Sequence, residues 1–398
     1  MPSSQTQNCS LLAELPEPTP DACKHSARLV DLIRNEIEKS SGRMPFDRYM
    51  ELALYAPGLG YYTAGARKFG EAGDFVTAPE ISPLFAHCVA RQCNQVFDEL
   101  GGGDLLEVGA GTGALATDLL LGLETLGTLP RRYLILEVSP DLRERQHEAI
   151  QARAPHLLAR VEWLDLLPEP GFRGMVVANE LLDAMPVSRF RVEETGMREG
   201  FVCWGNNRFQ TSWGEPSTQG LTNAIASLQE SLAVGYESEI NLRADYWLQA
   251  LSRCMDAGAV LLIDYGYPRS EYYHPQRSMG TLLCHYRHRA HDDPFILPGL
   301  QDITAHVDFT AVAKAGLDAG FKLAGYTTQA HFLLGCGLDS LLMASDPNDI
   351  KAHMTLMQGV KRLTMPTEMG ERFKAVALTR EVEASLIGFS LRDLSGHL

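Results

Sequence analysis

Hydrophobic residues along this chain follow two different periods, and the switch from one to the other divides it. Over 27–37 the apolar positions Leu29, Val30, Ile33 and Ile37 recur at helical spacing, and 45–54 repeats the pattern after Gly42. Ser82 and Pro83 open a further helix, with serine as cap and proline at the first helical position, predicted to run to about residue 100. From 104 onward, short apolar runs bounded by turn residues alternate with helix-forming stretches. Runs at 104–108, 133–136, 160–164, 174–178 and 259–264 predict successive strands, and 321–328 and 372–378 the last two, the terminal one antiparallel. Helices are predicted from 114 and over 242–255, 311–319 and 331–364. Between 187 and 213, apolar and polar residues alternate around Gly196, Gly200 and Gly205, which predicts inserted antiparallel strands, with a helix at 221–232 behind them. The expected fold class is therefore α/β, a doubly wound sheet with an antiparallel last strand, an N-terminal helical lobe and an inserted β/α substrate lobe. The expected boundaries are a mobile polar leader at 1–24, the helical lobe at 25–100, the core at 101–190 and 241–398, and the insertion at 191–240.

One junction in that series carries chemistry. The strand Asp104-Leu105-Leu106-Glu107-Val108 runs into Gly109, Gly111 and Gly113 and then into a helix-forming stretch. Glycines at that spacing let a ligand approach the backbone and allow a sharp strand-to-helix turn, while the free N–H groups of the helix face the ligand. The spacing also fits a dinucleotide fingerprint. Glu107 separates the two readings, because its charge would face a bound pyrophosphate but attract the ammonium of an amino-acid ligand. S-adenosylmethionine carries that ammonium and no phosphate.

Further acids end the later strands. Glu137, after 133–136, is placed to accept from the 2′ and 3′ hydroxyls of a ribose. Asp165, after 160–164, is the candidate for the adenine amino group. The strand at 174–178 delivers Asn179, Glu180 and Asp183 to the same sheet edge. If 180–183 is one helical turn, Glu180 and Asp183 point to one side and could grip a guanidinium. Displacement at a sulfonium methyl needs chiefly an aligned nitrogen lone pair, which such carboxylates would fix. Asp264, before Tyr265 and Gly266, opens toward the same edge or simply forms a turn. Asp74 and Glu80 are candidates for lining the substrate channel. His285, His288 and His291 beside Cys284 have a spacing that suggests a metal, but Arg287, Arg289, Asp292 and Asp293 make the segment a charged loop, and no metal is expected.

Taken together, these stretches resemble the MidA family of class I S-adenosylmethionine-dependent methyltransferases. The matching segments are 60–62, 73–82, the turn from Glu107 to Gly113, 137–139, 179–187, 264–266, 302–309 and 369–373, spread over nearly the whole chain beyond residue 40. The resemblance implies a Rossmann-like class I methyltransferase core, S-adenosylmethionine as cofactor, and a protein substrate with an accessible arginine. The family's mitochondrial members are protein arginine methyltransferases acting in assembly of respiratory complex I. It also makes Asp302 and His306 candidates for substrate contact. Asn179 stands where those mitochondrial members carry histidine, so it is grouped with the cofactor-binding residues and given no proton-transfer role.

Composition bounds the partners. The chain has 398 residues, 45% of them hydrophobic, enough for a large core and a second lobe. A formal net charge of −15 argues against nucleic-acid binding and favours a basic peptide. The eight cysteines, at 9, 23, 88, 93, 203, 254, 284 and 336, form no CxxC pairing, which fits a reducing compartment. No apolar stretch is long enough to span a bilayer, and the N-terminal segment has neither a hydrophobic signal core nor an arginine-rich amphipathic helix, so the expected location is cytoplasmic. The composition leaves the oligomeric state open. Other readings keep the cofactor and change the acceptor to a small molecule or nucleic acid, remove turnover altogether to leave an assembly chaperone, or replace the cofactor by a nicotinamide dinucleotide.

Overall fold

Seven strands line up side by side because each apolar run from residue 104 onward is flanked by apolar runs on neighbouring strands. The computed structural model describes residues 15–65, 76–228, 232–346 and 348–398. The strands are β1 Asp104–Val108, β2 Tyr133–Leu136, β3 Val161–Leu164, β4 Phe172–Asn179, β5 Met255–Tyr267, β6 Lys322–Thr328 and β7 Phe373–Arg380. Their order across the sheet is β6-β7-β5-β4-β1-β2-β3. β1 pairs in parallel with β2 on one side and β4 on the other, while β7 runs antiparallel between β5 and β6. The chain thus winds outward from β1 in both directions, and the reversal lies at β1/β4, where a doubly wound sheet opens a crevice beyond its carboxyl ends. This is the expected α/β class, with the antiparallel last strand.

Local chemistry sets the helices that flank this sheet. Helix α1, Pro83–Leu100, starts on a Ser82 hydroxyl that accepts from the Leu84 N–H and stops at Gly101 in the left-handed region. Helix α2, Ala114–Leu126, follows the glycine turn. Helix α3, Pro140–Arg153, is capped by the Ser139 hydroxyl accepting from the Leu142 N–H. No helix joins β3 to β4. The connection at 165–171 reads Asp-Leu-Leu-Pro-Glu-Pro-Gly, and Pro168 and Pro170 remove the backbone donors and the conformational freedom a helix needs there.

Two compact units share the chain: 1–75, 183–243 and 270–306 form one, and 76–182, 244–269 and 307–398 the other, which holds the seven strands. This second unit therefore takes in helix α1, which the sequence reading grouped with the N-terminal lobe, because Phe85, Val89, Cys93 and Val96 bury against the β-sheet core. The other unit joins the N-terminal helices Pro20–Lys39 and Phe46–Tyr55 to the expected insertion. In it, strands Ser188–Glu193, Gly196–Gly205, Arg208–Gly214, Glu237–Ile240 and Arg43–Pro45 make one antiparallel sheet. Its core includes Leu29, Ile33, Phe46, Tyr49, Tyr61, Val202 and Ile303.

Candidate active site

The glycine turn after β1 is built as its residues require. Gly109, Gly111 and Gly113 have φ of 72°, 52° and 81°, a left-handed conformation that side chains rarely adopt. A Cβ on Gly113 would come within 2.9 Å of the Gln146 Cα, so the turn lies directly on helix α3, whereas the space a Cβ would take at Gly111 is open. That open side of bare backbone at the head of helix α2 is a cradle suited to an adenosyl amino acid. The Thr112 hydroxyl, within the turn, donates to Glu80 Oε1 at 3.2 Å.

The acids around the turn divide into held and exposed groups. Glu107, read from sequence as a free charge at the strand end, is instead 1% exposed and accepts the Tyr133 hydroxyl at 2.5 Å. Burial pushes its carboxyl up to about 7, with the Tyr133 hydrogen bond opposing and the nearby Glu137 charge adding to the rise. A ligand ammonium beside this carboxyl would favour its ionised form. Glu137 is 6% exposed, its Oε1 accepting the Ser139 N–H at 2.9 Å and its Oε2 the Gln146 amide at 3.1 Å. Its pKa is raised, first by burial, with the Ser139 and Gln146 hydrogen bonds pulling the other way. Asp165 is exposed at the end of β3 and is paired with Arg143 at 2.7 Å, which also donates to the carbonyls of Glu137 and Leu164. With Leu164, Leu166, Pro168 and Phe172, it lines a groove of about 470 Å³.

The segment after β4 corrects the helical-turn expectation. It forms turns and bends, and Glu180 sits at φ 52°, so the three-residue helical spacing that would align Glu180 with Asp183 is absent. Glu180 accepts the Asn179 side-chain amide at 3.1 Å and the Ala78 N–H at 3.4 Å. Asp264 takes the turn-forming alternative. It is 1% exposed and accepts the N–H groups of Leu182 and Tyr265, both at 2.9 Å, so it holds the start of the loop after β4. Glu80 has a local structural role. It closes a capping box on the short helix Ala78–Ile81, accepting the Thr77 N–H at 3.3 Å as well as the Thr112 hydroxyl.

The remaining candidates belong to the other unit. Asp183 is buried there, its carbonyl accepting the Ala305 N–H at 3.0 Å. Asp302, 3% exposed, accepts the Tyr62 hydroxyl on both oxygens at 3.0 Å, and burial together with the Asp302 charge holds the Tyr62 phenol well above its ordinary pKa. His306 donates its backbone N–H to the Thr281 hydroxyl at 3.1 Å. Asp74 lies outside the described residues. His285 and His291 occupy a hairpin whose turn places Arg287 and His288 at positive φ, and burial lowers His285 to about 4. Among the described residues there is no cluster of three or more His, Cys, Asp or Glu side chains arranged to hold a metal.

Sequence reading missed Gln146, Trp163, Tyr133 and Arg143. One signal was available. Leu142, Gln146 and Ile150 form the buried stripe of helix α3 at four-residue spacing, and a glutamine in that stripe must find partners inside the protein.

Comparison with known proteins places this geometry. The sequence profile of a family of S-adenosyl-L-methionine-dependent methyltransferases matches residues 88–327, more than half of the chain and the part that contains the glycine turn. The chain belongs to this family. A crystal structure from Burkholderia thailandensis, bound to S-adenosyl-homocysteine, superposes on this methyltransferase at a TM-score of 0.93 with 45% sequence identity, covering 97% of this chain and 100% of its own. The native crystal structure of a superfamily member from the same organism gives 0.90 and 44% over the same shares. Curated relatives include the mitochondrial protein arginine methyltransferase NDUFAF7 of Homo sapiens, 30% identical over 85% of this chain and 81% of its own. The Drosophila melanogaster homologue is 28% identical over 95% and 92%. The enzyme is thus a methyltransferase that uses S-adenosylmethionine.

These relatives also correct the cytoplasmic expectation, since the curated proteins that match over most of this methyltransferase are designated mitochondrial. The expectation rested on leader composition and cysteine spacing. Neither is coupled to the burial and hydrogen bonding that define the catalytic fold. No helix among the described residues is long and apolar enough to cross a membrane.

Proposed function

We propose that the methyl acceptor is an arginine side chain on a protein. The observation that carries this reading is the run of relatives named protein arginine methyltransferases, aligned with this chain over more than four-fifths of its length. When bound, S-adenosylmethionine supplies an electrophilic methyl group on a sulfonium. The chain's own residues supply position and charge. Gly109, Gly111 and Gly113 give backbone access, Glu137 accepts ribose hydroxyls, Glu107 balances the ammonium once ionised, Asn179 and Asp165 border the nucleoside, and Glu180 orients the guanidinium. Asp183, Asp302 and His306 are proposed to contact the acceptor protein. A guanidine nitrogen forms the new N–C bond as the methyl–sulfur bond breaks, the electron pair passes to sulfur, and the nitrogen then releases one proton.

The net charge of −15 supports a basic acceptor. The family resemblance makes a subunit of respiratory complex I the first protein to try. The test is to incubate the enzyme with S-adenosylmethionine and such subunits, then locate the added methyl group by peptide mass spectrometry. Methylated arginine is expected, and Glu180→Gln should lower kcat/KM by roughly a hundredfold while leaving S-adenosylhomocysteine binding in place. The companion substitution Asp183→Asn tests the second acid. Methyl transfer to another residue, a small molecule or RNA under the same conditions would refute the arginine assignment, and unimpaired assembly with no transfer at all would favour a chaperone.

A further inference from the structure

We propose that Gln146 is a positioning residue for the cofactor ribose, acting through Glu137 and itself oriented by the indole N–H of Trp163. The inference rests on the reading that Glu137 accepts the ribose hydroxyls. Gln146 is completely buried on helix α3, so it does not reach a ligand directly. Its side-chain nitrogen donates to Glu137 Oε2 at 3.1 Å and to the Gly111 carbonyl at 3.0 Å, and its oxygen accepts from Trp163 Nε1 at 2.9 Å. One amide therefore ties the glycine turn after β1, the acid after β2 and the side chain of Trp163 on β3.

The orientation of that amide is fixed by chemistry. An indole nitrogen can only donate, so it must meet the glutamine oxygen, which turns the NH₂ group toward the carboxylate and the carbonyl. Rotated by half a turn, the amide would set a donor against the indole N–H and an oxygen against two acceptors. With the Ser139 N–H on Oε1 and Gln146 on Oε2, the Glu137 carboxylate is pinned at both oxygens. Each oxygen keeps a further lone pair, and it is these lone pairs that two neighbouring hydroxyls need in register.

The contact of the turn with helix α3, where Gly113 lies too close to Gln146 for any Cβ, means the same helix sets the turn and the acid together. Nothing in the glycine motif or in the acid at 137 marks position 146, yet the geometry assigns it a share of cofactor recognition.

Calorimetric binding of S-adenosylhomocysteine and of its 2′-deoxy analogue to the full chain tests this. The wild type should prefer the hydroxylated ligand. Gln146→Met should weaken that ligand about tenfold and the deoxy analogue by less than about threefold, collapsing the preference. Trp163→Phe removes only the orienting donor and should shift the preference the same way by a smaller factor, which keeps the test open if the methionine variant folds poorly. Equal weakening of both ligands by both variants would mean that Gln146 merely supports the fold, and the positioning role would be wrong. A wild type that binds S-adenosylhomocysteine without preferring it over the deoxy analogue overturns the role of Glu137 first, and a wild type that binds neither overturns the cofactor site itself.

Discussion

Glu107 shows how much a single carboxyl depends on what surrounds it. It was legible in the sequence as the acid before the glycines, but its burial against Tyr133 was not, because that contact joins residues on two strands. Folding raises its pKa from 4.5 to about 7, so the folded protein keeps a proton that the unfolded chain has already lost in that interval. Stability from this group is accordingly complete below pH 4.5 and declines as pH rises through 7. The difference amounts to roughly 3 kcal/mol. Urea denaturation of the wild type and Glu107→Gln between pH 5 and pH 8 should show the variant with a flatter profile and greater stability at the alkaline end; identical slopes would remove Glu107 as the cause. Ionising Glu107 for a ligand ammonium also predicts that S-adenosylhomocysteine binds more tightly as pH rises across the same range, with release of a proton measurable by calorimetry in buffers of different ionisation enthalpy.

At the scale of elements, the central strands are held by an absence of side chains as much as by apolar packing. A Cβ on Gly174 in β4 would lie 1.8 Å from the Asp104 carbonyl of β1, and one on Gly258 in β5 would lie 1.8 Å from the Gly174 carbonyl. Both glycines have positive φ, 151° and 137°. Gly174→Ala should therefore separate strands at the head of the sheet and cost about 3 kcal/mol or more, read as a lower melting temperature and reduced soluble yield. A melting curve unchanged from wild type would contradict this packing. The strands were legible from their apolar runs, and helix α1 from Ser82-Pro83, because those signals are local. The turn at Glu180 was not legible as such: its positive φ follows from neighbours, among them the Ala78 N–H and the Asp264 carboxylate that anchors Leu182, which are far away in sequence.

For the molecule as a whole, charge gives the clearest expectation. Fifteen excess negative charges attract a basic acceptor over distances comparable to the screening length, near 10 Å at about 0.1 M salt. Raising salt from about 50 to about 300 mM should lower kcat/KM for an arginine-rich acceptor several-fold, mainly through KM, while cofactor affinity changes little. Insensitivity to salt would argue that the acceptor is recognised through apolar contacts. The partition into units was only partly visible in sequence, since residues 183–243 and 270–306 join 1–75 by burying apolar faces against them, and no composition change marks where the chain crosses. The sequence alone determined the order of strands and helices, the glycine turn and the cofactor class, because these depend on residues within a few positions of one another or on a spaced motif. Tertiary structure alone decided which acids are sealed, which are clamps such as Asp264 and Glu80, and that Gln146 meets Glu137, because burial and hydrogen-bond partners are set by residues brought together only when the sheet closes.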